Sequence, residues 1–155
     1  KGILSHHLHS EGKYAKELWI ETPSAQMYPR LTNELVEEGR HHLKMNGREV
    51  FKQAVKRFPE VILECLEHNN LEPSDIDLFL PHQANIRINN MVQKKLGLSD
   101  SQVFNNIHKY GNTTSATIPI LLSEAHQNGR IKDGDLILMA AFGSGFTWGA
   151  SLIRW

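Results

Sequence analysis

From Arg48 onward the apolar residues Val50, Phe51, Ala54, Val55, Phe58, Val61, Ile62, Cys65 and Leu66 recur at three- and four-residue steps. That spacing predicts an amphipathic helix packed along one face. Pro59 falls inside the pattern and predicts a kink. The end of the chain is patterned differently. Leu136 to Phe142 is a continuous apolar run, Gly143-Ser144-Gly145 a tight turn, and Phe146 to Trp155 a second strand, which predicts an antiparallel pair. At the start, Ile3 to His9 and Leu18 to Glu21 read as two short strands joined by the turn Ser10-Glu11-Gly12-Lys13. Thr22 to Met45, with Pro23, Pro29 and Gly39, reads mostly as loop. In the middle come a loop at Glu72-Pro73-Ser74, a strand Asp77 to Leu80, and a helix from Asn85 to Leu96 closed by Gly97. A short strand at Val103-Phe104, a turn at Tyr110-Gly111-Asn112 and a helix from Ser115 to Asn128 capped by Gly129 follow, with Pro119 tolerable near the first turn.

Continuous apolar strands alternating with helices predict a sheet covered on both faces, so the fold class is α/β, layered, with a mixed sheet. At 155 residues the chain is one domain's worth of sequence. Lys+Arg and Asp+Glu number 17 each, so no global field recruits nucleic acid or a membrane surface. No apolar run approaches the roughly 18 residues of a membrane span, and no signal-peptide pattern opens the chain. The single cysteine, Cys65, forms no internal disulfide, which fits a reducing, cytoplasmic setting. The chain starts at Lys1 with a strand-like run and stops on the apolar Leu152-Ile153-Arg154-Trp155, a pattern expected of one piece of a longer chain. Strand alternation puts His7 and His9 on one face, and His41-His42 forms a second pair. No further ligand of defined spacing follows, so no metal site is expected.

In layered α/β sheets, ligands sit where strands lead into loops at their carboxyl ends. Three polar loops fall at such positions: Pro81-His82-Gln83-Ala84-Asn85, Tyr110-Gly111-Asn112-Thr113, and Phe142-Gly143-Ser144-Gly145-Phe146. They offer an imidazole, a carboxamide and a Gly-rich turn with backbone N–H groups. Such neutral donors suit the stabilisation of a developing enolate or oxyanion. Taken singly, His82 could equally be a satisfied structural histidine, Asn112 a turn residue and Gly143-Ser144-Gly145 a plain hairpin turn.

Three strings, Leu80-Pro81-His82-Gln83-Ala84-Asn85, Tyr110-Gly111-Asn112-Thr113-Thr114-Ser115-Ala116-Thr117-Ile118-Pro119 and Phe142-Gly143-Ser144-Gly145-Phe146-Thr147-Trp148-Gly149, together resemble β-ketoacyl-acyl-carrier-protein synthase III. The resemblance also takes in Asn46-Gly47-Arg48-Glu49-Val50-Phe51-Lys52 and covers nearly the whole chain. It implies the carboxyl-terminal half of a thiolase-fold condensing enzyme that starts fatty-acid synthesis. A cysteine takes an acyl group from acyl-CoA; malonyl-acyl carrier protein is then decarboxylated, and its enolate attacks the acyl-enzyme. No cofactor is implied beyond these two thioester substrates. By resemblance His82 and Asn112 are the pair that holds the malonyl thioester oxygen. Ser144 supplies a backbone N–H to the oxyanion hole, where serine in place of the family's frequent glycine narrows the backbone choices. Gly47 and Phe51 line the pantetheine tunnel, and Ala84 and Asn85 contact the pantetheine arm.

The nucleophile is where this sequence departs from the pattern. The family carries its cysteine in the amino-terminal half, whereas Cys65 lies in an apolar helical stripe and reads as a packed thiol. The resemblance therefore implies a partner half bearing the nucleophile, no activity for this half alone, and a homodimer when intact. Acidic acyl carrier protein would dock on Arg87 and Lys52, with Lys94 and Lys95 as further contacts; a solvated helix face is the plainer reading of those charges. Competing readings are a related thiolase-fold enzyme of secondary metabolism and a non-catalytic subunit that binds carrier protein.

Overall fold

A computed structural model describes residues 1–155. In chain order the elements are β1 (Gly2–Ser10), β2 (Leu18–Ile20), α1 (Asn33–Glu37), β3 (Leu43–Met45), α2 (Gly47–His68), β4 (Leu78–Pro81), α3 (Ile86–Leu96), α4 (Ile107–Tyr110), α5 (Thr117–Gln127), β5 (Leu136–Gly143) and β6 (Thr147–Arg154). Four strands form one mixed sheet in the order β1-β6-β5-β4, with β4 parallel to β5 and the other pairs antiparallel. Val103 adds an isolated parallel bridge to Phe79 where a short strand was expected.

The opening strands differ from expectation. β1 and β2 do not pair with each other: a 3-10 turn over Gly12–Glu17 separates them, β1 pairs with β6, and β2 pairs with β3 in a small second sheet. The segment expected as loop thus supplies β3 and the short α1, whose N-cap Thr32 accepts from Leu35 N. β1 lies so close to β6 that a Cβ on Gly149 would sit 2.9 Å from His7 O and 2.5 Å from Leu8 Cδ2. Only a residue without a side chain fits that crossing.

α2 begins at Asn46, whose side chain accepts from Glu49 N, and continues through Pro59 to His68. Its apolar stripe packs on one sheet face, where Phe58, Val61, Ile62 and Leu66 join Phe79, Leu138, Phe142 and Leu152 in the main core. α3 packs beside α2 and contributes Ile88, Val92 and Leu96. Its end is set by Gly97 at φ 68°, the left-handed cap that the sequence predicts. The other sheet face is covered less completely. Leu121 and Ala125 of α5 close over Leu78, Leu80 and Ile137, while Leu8 on β1 stays 80% exposed. The expected cover on both faces therefore holds for β4 and part of β5, and a cleft remains over β6 and β1. No helix is long and apolar enough to cross a membrane.

Candidate active site

The site is built from the carboxyl end of β4. All four residues of that strand are buried, and His82 N continues its ladder by donating to Ala140 O at 2.8 Å. The next residue, Gln83, is fully buried and uses its whole hydrogen-bonding capacity. Its Nε2 donates to Pro81 O at 2.8 Å and Asn105 Oδ1 at 3.0 Å, while its Oε1 accepts from the N–H groups of Asn106 and Ile107, both at 3.0 Å. Asn89 of α3 donates to the same Asn105 Oδ1 at 2.8 Å. Asn106 donates through Nδ2 to Glu124 of α5 at 2.8 Å. Gln83 thus staples the His82 loop to the start of α4, the one-turn helix that leads into Asn112.

Asn112 sits in the turn before α5. Its Oδ1 accepts from Thr114 N at 2.8 Å, and Thr114 adopts the left-handed region at φ 55°. With the carbonyl side of the carboxamide tied back, its NH2 group is left as a donor. His82 is tied back in the same manner: Nδ1 lies 2.5 Å from Thr117 Oγ1. Nε2 makes no bond within the chain and is not sealed in the interior. Burial, with no charged partner, pushes the His82 pKa below its ordinary value, so the ring is neutral at and above neutral pH.

His82, Asn112 and Ser144 all line one cleft of about 1120 Å³, together with His6, Leu8 and Met139 on the sheet face. Ser144 O accepts from Thr147 Oγ1 at 2.9 Å. The backbone constraint anticipated for Ser144 falls one residue later. Gly145 has φ 133°, where a Cβ would lie 2.8 Å from Thr147 Cγ2 and 3.0 Å from its N, and Ser144 has no positive φ.

Other expected residues lie elsewhere. Gly47 and Phe51 are on the first turns of α2, with Phe51 packed partly against the core. Ala84 is exposed, and Asn85 caps α3 by accepting from Arg87 N at 3.0 Å. None of these four lines the cleft. Lys52 is exposed and lies 3.8 Å from Glu49. Arg87 and Lys94 are exposed at positions seven apart on α3, which places them on one face. Lys95 is less free than expected, because its Nζ donates to Val55 O at 3.0 Å and joins α3 to α2. Cys65 is buried, its thiol pushed up by burial, with Ser5 Oγ 3.5 Å away. His7 and His9 do share a face, and their partner is the Glu64 carboxylate at 3.0 and 2.6 Å.

Residues 66–155 match the family profile described as 3-oxoacyl-[acyl-carrier-protein (ACP)] synthase III C terminal. The chain belongs to this synthase III family. It is 44% identical over its full length to the β-ketoacyl-[acyl-carrier-protein] synthase III of Desulfotalea psychrophila, and 44% identical over 99% of its length to that of Clostridioides difficile. It covers 47% and 46% of those two proteins, so it spans about half the length of the curated relatives it matches. Among solved structures, the Aquifex aeolicus synthase III superposes with a TM-score of 0.86 at 42% identity, over 99% of this chain and 44% of that one. The fold is accordingly that of a thiolase-like synthase III half.

Proposed function

We propose that this chain is the carboxyl-terminal half of a β-ketoacyl-acyl-carrier-protein synthase III, condensing an acyl-CoA with malonyl-acyl carrier protein to start fatty-acid synthesis. The observation that carries the reading is that His82 and Asn112 line the same cleft, each with one polar atom already engaged and a neutral N–H donor left over. When the malonyl C–C bond breaks, CO2 leaves and the electron pair moves onto the thioester as an enolate. The two donors hold the enolate oxygen, and they cost no proton bookkeeping because neither group changes charge. The enolate carbon then attacks the acyl thioester on a cysteine supplied by the other half of the enzyme. A C–C bond forms, the cysteine thiolate departs, and the Ser144 N–H serves the oxyanion formed on the way. Cys65 does not serve as that nucleophile, because a buried thiol with a raised pKa holds little thiolate.

This assignment makes the half dependent on its partner. The cleft-facing part of the sheet, with Leu8 exposed, is where the nucleophile-bearing half packs. Arg87 and Lys94 on α3, with Lys52 on α2, form the basic surface for acidic carrier protein, and Gly47, Phe51, Ala84 and Asn85, which lie outside the cleft, are assigned to the pantetheine's approach by the family resemblance alone. The named relatives favour synthase III over a secondary-metabolism enzyme or a non-catalytic subunit. The test is made in the full-length synthase that contains this half. His82→Ala and Asn112→Ala should each lower malonyl decarboxylation by ~100- to 1000-fold while cysteine acylation from acyl-CoA continues. Decarboxylation at the unaltered rate in both variants would remove the assignment.

A further inference from the structure

The ring of His82 has two nitrogens, and the one that faces the cleft can donate to an oxyanion only when it carries the proton. Its other nitrogen, Nδ1, is 2.5 Å from the Oγ1 of Thr117, a residue 2% exposed in the first turn of α5. No other side chain or backbone group of the protein bonds to that hydroxyl. The two possible proton arrangements are therefore unequal. If Nδ1 carried the proton, it would donate to Thr117, and the buried Thr117 O–H would have no acceptor. If Thr117 donates to Nδ1, both buried groups are satisfied and the ring proton is placed on Nε2. A buried polar hydrogen without an acceptor is strongly disfavoured, so the second arrangement wins.

We infer that Thr117 is a positioning residue that fixes the tautomer of His82, holding its proton on the nitrogen that faces the cleft. The inference rests on the enolate-donor reading of His82 and adds to it the group that makes the imidazole a donor and not an acceptor. The placement is economical in the fold. Thr117 begins α5, the helix that the Asn112 turn enters, so one short segment from Asn112 to Thr117 sets the donor state of both side chains.

The experiment uses the full-length synthase. Nitrogen NMR of isotope-labelled histidine should show His82 protonated at Nε2 and unprotonated at Nδ1, and this needs no variant. Thr117→Val keeps the β-branch and removes the hydroxyl. It should lower kcat for malonyl decarboxylation about tenfold, change KM for malonyl-acyl carrier protein less than twofold, and leave cysteine acylation unaltered. Thr117→Ser should restore the rate. A His82 signal protonated at Nδ1, or a Thr117→Val enzyme that decarboxylates at the normal rate, would overturn the inference. His82→Ala run alongside separates the two layers. If it abolishes decarboxylation while Thr117→Val leaves the rate normal, the tautomer role falls and the enolate-donor reading stands. If His82→Ala is also without effect, both fall together.

Discussion

The two faces of the four-stranded sheet are put to different uses, and β5 shows the contrast within one strand. Leu136, Leu138, Ala140 and Phe142 join the main core under α2 and α3. Of the residues between them, Ile137 packs under α5 while Met139 and Ala141 line the cleft. The first face is filled by large apolar side chains. Around the cleft, order comes instead from side-chain bonds to loops: Gln83 to Asn106 and Ile107, Asn112 to Thr114, Thr117 to His82. Space for a substrate precludes holding a loop in place by filling the space in front of it. Polar clamps behind the loops take over that task, and they are specific about orientation in a way that apolar contact is not.

The contrast can be broken from either side. The largest stability effect is expected on the packed face: Phe79→Ala, at a fully buried position, should cost about 3–5 kcal/mol in unfolding experiments on the full-length enzyme. It should leave the ratio of decarboxylation to cysteine acylation unchanged in whatever enzyme remains folded. Gln83→Ala is the matching cut on the cleft side. It strands the amides of Asn106 and Ile107 and should cost about 2–3 kcal/mol. Here the ratio should shift, with decarboxylation falling further than acylation because the His82 and Asn112 loops are no longer tied together. Equal losses in both half-reactions would reduce Gln83 to a stabilising residue.

The smallest effect belongs to the polar edge of the packed face. Hydrogen bonds from His7 and then His9 hold the Glu64 carboxyl below its ordinary pKa. A depressed folded pKa means the stabilisation is present above the unfolded value and is lost as pH falls through the lower, folded one. Glu64 is 44% exposed, so the gain is screened to a few tenths of a kcal/mol. Stability curves of Glu64→Gln and the unaltered enzyme, measured from neutral pH down to about pH 3, should converge on the acid side. A constant gap across that range would mean that the carboxylate charge is not what matters.

Much of this arrangement is legible in the residues before any coordinates. The α2 stripe, the Gly97 and Gly129 caps and the final strand pair follow from local spacing, because helix period and turn chemistry are properties of neighbouring residues. The placement of His82, Asn112 and Ser144 on one cleft follows from the three-motif register. What escapes is non-local. The opening strands are read as joined by a turn, yet β1 joins β6 more than a hundred residues away, a choice that no local pattern encodes. α4 is one turn long and carries no apolar repeat. Gln83 reads as a spacer between His82 and Ala84; its role needs the knowledge that Asn106 comes back beside it. Thr117 gives no signal of its own, although a buried polar residue directly ahead of the apolar run Ile118 to Leu122 invites the question of what it bonds.

The Gln83 staple also has a consequence for motion. Since one side chain accepts from the amides of both Asn106 and Ile107, neither loop can lift without releasing the other's anchor. Fluctuations that expose His82 and those that expose Asn112 should belong to one cooperative opening, and those two amides should exchange with solvent deuterium at a common rate.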